Sequence, residues 1–343
     1  MRLSGFVCAL LLLSLASPAQ AQTYEMKLGH FLPAGHPMGK YIQSWADELR
    51  TRSDGQLDIQ VFPSAQLGPM PDYYDMVRRG QMDIGWILHG ATSDRFPLTG
   101  LIDIPYTIGS AEIGNRVLND PAVRKYLDPE HRGVKVLYLF THPPAQLHTR
   151  GKAVRMPADA EGLRIRFPSA TARLFVEALG ATPVGLPPTA MAENLQKSTI
   201  DGVVIDYGGA GIAFKLGGLI DYTTEMYAYA TSFGLIMNPA SYDRLPDELK
   251  QLIDETTADV SIEVGQIWDA VDVPGRQALL DGGMEVVELS EEADAAFRAV
   301  GLQVADGVLA EREAAGQPAV EVYRLMLERS VEYGKTSFSF WNR

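Results

Sequence analysis

Two arginines in one short stretch, Arg164 and Arg166, are the side chains of this sequence best suited to hold something. They alternate with Leu163, Ile165 and Phe167, a strand pattern that places both guanidinium groups on one face and the apolar residues toward a core. A solvated edge pair would read the same way. An arginine fork, however, meets a carboxylate with two parallel hydrogen bonds, so the pair also reads as a clamp for a small organic acid. The remaining reactive residue types form no recognisable constellation. The histidines are His30, His36, His89, His131, His142 and His148, and none stands at the i, i+4 spacing with glutamate of a zinc protease. They read as loop or strand-end residues making ordinary hydrogen bonds. No Gly-x-Ser-x-Gly elbow occurs. Gly35-His-Pro-Met-Gly39-Lys40 is one residue short of a phosphate loop, and Tyr41 stands where Ser or Thr is needed. Gly209-Ala-Gly211 follows a strand, but Phe214 occupies the third glycine position of a dinucleotide loop. No metal site, cofactor or catalytic group is therefore expected.

Charge sharpens the reading. The 343 residues carry 43 acidic and 30 basic side chains, a formal net charge of −13. Nucleic acid and anionic membrane surfaces repel such a chain, so neither is an expected partner. The first residues read as an export signal, spanning 1–21: Arg2, an apolar run from Ala9 to Leu15, and Ala19-Gln20-Ala21 as the cleavage pattern. Cleavage after Ala21 would remove one positive charge and also Cys8, the single cysteine. The mature protein would then hold no disulfide and no thiolate, which suits a periplasmic location. No later apolar run approaches membrane-spanning length.

The elements that must carry the arginines follow from periodicity. Strands are expected at about 24–31, 57–61 and 82–88, with helices between them at 38–49 and 70–80; this order argues for an α/β domain with parallel strand pairs. A second α/β unit is expected to begin near residue 134, where Val134–Phe140 is nearly all apolar. It continues with the arginine strand, a helix from Ala170 to Leu179 closed by Gly180, and the strand Val203–Ile205 after Asp201-Gly202. Phe233–Met237 reads as a further strand. One long helix is expected from Pro246 onward, its stripe running from Leu249 to Val271, long enough to brace two lobes. A strand at Met284–Leu289 and two amphipathic helices complete the chain.

Several of these segments together resemble a known family. Gly162-Leu-Arg-Ile-Arg166-Phe-Pro168, Leu179-Gly-Ala-Thr-Pro183 and Gln196 five residues before Asp201-Gly202 look like the solute-binding proteins of TRAP (tripartite ATP-independent periplasmic) transporters. Ser64-Ala-Gln66-Leu67-Gly68, Asp83 and Tyr242-x-x-Leu245-Pro246 agree, in the right order along nearly the whole mature chain. The resemblance implies a two-lobed periplasmic binding fold of α/β class, type II-like, with hinge strands and a long helix spanning both lobes. It implies one lobe from 22–143 plus 232–271, holding the start of the long helix, and another from 144–231 plus 272–343. It implies no enzyme, but capture of an organic acid by lobe closure and delivery to a small and a large membrane subunit.

The family's carboxylate-holding arginine corresponds to Arg166. Members that bind sialic acid have a second arginine where Gln146 stands and an asparagine after the Asp-Gly motif, where this chain runs Val203-Val204-Ile205-Asp206-Tyr207. That points away from sialic acid. Tyr207 and Asp206 resemble the aromatic and acidic pair of another branch. Counting along the resemblance also brings Phe31, Trp86, His89 and Phe233 to the cleft, although each aromatic would equally serve a core. An apolar cleft would suit a monocarboxylate or 2-oxo acid with a hydrophobic or aromatic tail. A sensor's binding protein and an enzyme on a two-lobed scaffold are the competing readings.

Overall fold

The computed structural model describes residues 22–258 and 260–342. The expected export signal, Cys8 included, lies outside the described residues. The chain opens as expected, with β1 (Tyr24–Gly29), α1 (Pro37–Arg52), β2 (Leu57–Phe62), α2 (Tyr73–Arg78) and β3 (Ile84–Leu88). β1 pairs in parallel with both β2 and β3. The apolar positions of α1, Met38, Ile42, Trp45 and Leu49, recur at helical spacing and are buried against this sheet. After α3 (Ala111–Asn119) and α4 (Pro121–Leu127) comes β4 (Lys135–Thr141).

β4 does not open a second unit. It is the edge strand of the first sheet, in the order β2-β1-β3-β10-β4, where β10 is Ser232–Met237. Its continuous apolar run has another cause than burial inside a parallel sheet: α3 and α9 (Val260–Asp281) pack on it. The chain then crosses into the second sheet through β5 (Ala145–Thr149), β6 (Arg164–Phe167), α5 (Ala170–Ala178), β7 (Thr182–Gly185), α6 (Met191–Gln196), β8 (Gly202–Ile205) and β9 (Tyr222–Tyr229). It returns to the first sheet in β10. The second sheet runs β11-β9-β5-β8-β6-β7, with β11 at Glu285–Val287.

The molecule therefore has two α/β lobes, and the segments 142–144 and 230–231 cross between their sheets. The long helix is also divided. α7 (Pro239–Asp243) precedes α8 (Asp247–Thr257), which stops where Ala258 turns to extended backbone (φ −66°, ψ 141°). The Thr256 and Thr257 hydroxyls bond back to the Leu252 and Ile253 carbonyls, the kind of local competition that weakens a helix end. α9 does the bracing. Asp269 accepts hydrogen bonds from the Ala111 and Glu112 amides at the start of α3 (2.7 and 3.0 Å), and one turn later Asp272 accepts one from the Gly208 amide beyond β8 (2.8 Å). The last two helices, α10 (Glu291–Ala314) and α11 (Ala319–Gly334), pack against α5 and α3 respectively. No helix among the described residues is long and apolar enough to cross a membrane.

Candidate functional site

The two arginines of β6 have separate fates. Arg164 spends its fork on the neighbouring β8 approach: Nε and Nη2 meet Asp201 Oδ2 and Oδ1 at 2.8 and 2.7 Å, and Nη2 also reaches the Ser198 carbonyl at 2.8 Å. The Asp-Gly pair after α6 is thus built into the fold. A Cβ on Gly202 would fall 2.4 Å from the His148 carbonyl, so only glycine lets β8 lie beside β5 here. Arg166, two residues on, is only 4% exposed. Its Nε donates to the Leu186 carbonyl at 3.2 Å, and among the described residues no carboxylate forms an ion pair with it. Burial lowers its pKa to about 10, which leaves it charged at neutral pH.

Arg166 lies in the wall of a cavity between the lobes, with about 520 Å³ of space free of protein atoms, open solvent at its mouth included. A wider depression rich in proline adjoins it, and Arg166 lines both. The inner cavity is mostly apolar. Phe31, Phe233 and Trp268 face it, with Phe233 stacked on Trp268 (centroids 5.5 Å apart, planes 14°) and on Phe31 (5.9 Å, 28°). Such a wall fits a planar apolar group.

Few polar groups join Arg166. His142, on the first lobe crossing, donates from Nδ1 to the Pro143 carbonyl (2.5 Å) and accepts the Thr231 amide at Nε2 (3.1 Å). Both nitrogens are occupied by the neutral tautomer, and burial together with the nearby Arg166 lowers its pKa while Asp206 opposes the shift. His36, which caps α1 by accepting the Met38 amide, is pushed down to about 4 chiefly by burial. Asp206 accepts the Gly209 amide and Trp268 Nε1 at 2.9 and 3.3 Å.

Of the residues singled out in the sequence, Arg166, Asp206, Phe31 and Phe233 line this cavity. The other four do not. Gln146 is fully buried and bonded at both ends to backbone, its Nε2 to the Pro144 carbonyl and its Oε1 to the Tyr227 amide. Tyr207 turns into a separate core and donates to Glu225 Oε1 at 2.8 Å. Trp86 sits behind the wall, edge-on to Phe31 and Phe233. His89 lines a different small pocket and meets His131 at 3.0 Å between Nε2 atoms. β8 ends at Ile205, and the turn that follows sends Asp206 toward Trp268 and Tyr207 toward Glu225, a parting that the residue types alone do not announce.

Sequence reasoning missed Trp268, His142, His36 and Thr231. Trp268 belongs to the apolar stripe of α9, where periodicity cannot separate a cavity wall from a core. The crossing residues His142 and Thr231 gave no spacing signal at all. The glycines at 208–213 also find their explanation. They form a π-helical turn that crosses α9 backbone to backbone: a Cβ on Gly211 would lie 2.1 Å from the Gly275 carbonyl oxygen, and one on Gly275 would lie 2.2 Å from that of Tyr207. The turn serves packing.

Known proteins share this fold. The sequence model of the family described as "Bacterial extracellular solute-binding protein, family 7" matches residues 28–311. A solved TRAP solute-binding protein of an unidentified marine microbe, specific for aromatic acid ligands and in complex with metahydroxyphenylacetate, is 30% identical with a TM-score of 0.86. The match covers 90% of this chain and 99% of that one. A TRAP solute-binding protein from Rhodoferax ferrireducens with copurified benzoate is 26% identical with a TM-score of 0.86, over 91% of this chain and 99% of that one. One from Bordetella bronchiseptica with bound mandelate is 26% identical with a TM-score of 0.81, over 90% and 99%.

Proposed function

The chain belongs to the bacterial extracellular solute-binding proteins of family 7, and from that premise we infer that it captures an aromatic monocarboxylate for a TRAP transporter. One observation carries the reading: a buried guanidinium without a carboxylate partner stands in a cavity walled by Phe31, Phe233 and Trp268. A buried charge is costly unless paired, so the site is incomplete until an anion enters. Arg166 takes the carboxylate and the aromatic wall takes the ring. The solved relatives that hold metahydroxyphenylacetate, benzoate and mandelate support the same ligand class.

Capture proceeds by closure of the lobes, 22–143 with 232–271 against 144–231 with 272–343, about the crossings at 142–144 and 230–231. Ligand favours the closed state because only there do Arg166 from one lobe and Phe31 and Phe233 from the other touch it together. The closed form delivers its acid to the small and large permease subunits. The protein works in the periplasm after cleavage behind Ala21, and it releases its ligand chemically unchanged.

A thermal-shift and calorimetric panel tests this. Benzoate and phenylacetate at 100 times their Kd should each stabilise the protein by about 2.7 kcal/mol. Glucuronate and succinate should give far less. Stabilisation by sugar acids alone would overturn the aromatic assignment, and recovery of an altered product would overturn the assignment as a receptor. Vesicles holding both permease subunits should take up labelled acid only when the protein is added.

A further inference from the structure

The cavity contains a second buried charge, and it has the wrong sign for an anion site. Asp206 is 3% exposed. Its Oδ2 is fully used by the Gly209 amide and Trp268 Nε1. Its Oδ1 is not. The nearest cation-forming group is His142 Nδ1 at 3.8 Å, beyond hydrogen-bond reach, and that nitrogen already donates to the Pro143 carbonyl. Oδ1 is also not among the sealed side-chain atoms, so it remains accessible from the cavity that Asp206 lines. Gly209 keeps the space beside it open, because a Cβ there would lie 2.8 Å from Oδ1.

Arg166 does not quench this carboxylate. The two charges line one cavity without forming an ion pair, and His142 feels both, with Arg166 lowering and Asp206 raising its pKa. The neutral imidazole thus shares the cavity with a cation that wants an acceptor and a carboxylate oxygen that wants a donor. A ligand that satisfies both carries a carboxylate at one end and an O–H donor away from it. Hydrogen bonds to a buried carboxylate are stronger than neutral ones, and a group left unpaired there is costly. A second carboxylate would instead meet Asp206 as a like charge.

We propose that Asp206 selects, among the aromatic acids, those bearing a hydroxyl group remote from the carboxylate, and that it rejects aromatic dicarboxylates. The proposal rests on the aromatic-acid reading above. Titration calorimetry in one buffer compares benzoate with 3-hydroxybenzoate and 4-hydroxybenzoate, and with benzene-1,3- and 1,4-dicarboxylate. At least one hydroxy isomer should bind about tenfold or more tighter than benzoate, and neither dicarboxylate should bind as well as benzoate. In Asp206→Asn the side-chain oxygen can still accept from Gly209 and Trp268 while the amide presents a donor to the cavity. The hydroxyl advantage should then shrink below about threefold and the dicarboxylate penalty should fall.

Benzoate and both hydroxybenzoates binding wild type equally would overturn the proposal and leave the aromatic-acid reading standing. If no aromatic acid binds, both fall. A hydroxyl advantage that survives in Asp206→Asn assigns the donor to another residue and overturns the proposal. 4-(Aminomethyl)benzoate binding tighter than either hydroxy acid would replace the hydroxyl by an ammonium and overturn it as well. Should Asp206→Asn fail to fold, the wild-type comparison alone decides.

Discussion

Arg164 and Asp201 are joined by two parallel hydrogen bonds, Nε to Oδ2 at 2.8 Å and Nη2 to Oδ1 at 2.7 Å, in the strand whose next arginine has no acid beside it. The two guanidinium groups are chemically alike and two residues apart, yet one is paired with a carboxylate and the other, among the described residues, is not. Substitution separates them. Arg166→Ala should weaken aromatic-acid binding at least tenfold, since truncating one partner of a buried charged pair costs about 2–5 kcal/mol. Arg166→Lys should not restore it, because an ammonium lacks the planar fork. Arg164→Ala should leave affinity within about threefold. Calorimetry on the three variants checks this, and normal binding by Arg166→Ala would remove the anchor.

Trp268 couples the aromatic wall to the acid inside it. It stacks on Phe233 and donates Nε1 to Asp206 at 3.3 Å. An aromatic ligand should therefore change the tryptophan emission on binding. Trp268→Phe should keep most of the stacking surface, lose most of the emission change and lower affinity about twofold to tenfold, in line with about 0.5–1.5 kcal/mol for the lost hydrogen bond. An unaltered emission change in the variant would place the ligand elsewhere.

The crossing of α9 over the π-helical turn tolerates no side chain. Gly211→Ala and Gly275→Ala each drive a Cβ into a carbonyl oxygen, which no rotamer can relieve. Overpacking of this kind costs about 1–3 kcal/mol or more. Denaturant unfolding should show both losses, and affinity should fall too because the turn carries Gly209 beside Asp206. Gly35→Ala, with nothing within 4 Å of the new Cβ, is the control.

Acid should destabilise the protein through its histidines. His30, His36, His131 and His148 are pushed down to about 4 by burial, and His89 and His142 are lowered by the same cause. The unfolded chain takes up these protons first, so stability is complete above the ordinary histidine value of 6.5 and falls as pH drops toward 4. Asp103 and Asp269, pushed up to about 7 by burial, and Glu130, raised by burial, act in the opposite sense. Their contribution is complete in acid and is lost as pH rises, for the two aspartates toward 7. The histidines outnumber these acids, so the guanidinium midpoint should be lower at pH 5 than at pH 7.5. A midpoint that rises on acidification would show that the acids dominate.

Most elements were legible because their apolar periods are strong: β1, α1, β2, β3 and β10 fall where alternation and helical spacing put them. The break at Ala258 was not, because Leu249–Ile253 and Val260–Trp268 read as one stripe and the interruption lies in threonine hydroxyls folding back on their own helix. Arg166 was legible through its strand and its neighbouring motifs. Phe31, Phe233 and Asp206 were reached only through the family resemblance, and His142, Thr231 and Trp268 not at all, because they come from distant segments and have residue types that pack a core equally well.

The place of β10 bears on how the chain folds. It lies between β3 and β4 and is antiparallel to both, although nearly a hundred residues separate it from β4. A chain emerging N-terminus first cannot complete its first sheet when β4 is made, for β2-β1-β3 and β4 remain two unjoined pieces until Met237 arrives. By then every strand of the second sheet except β11 has been synthesised. The non-local pairing delays folding, so the first lobe is completed only after most of the second sheet exists.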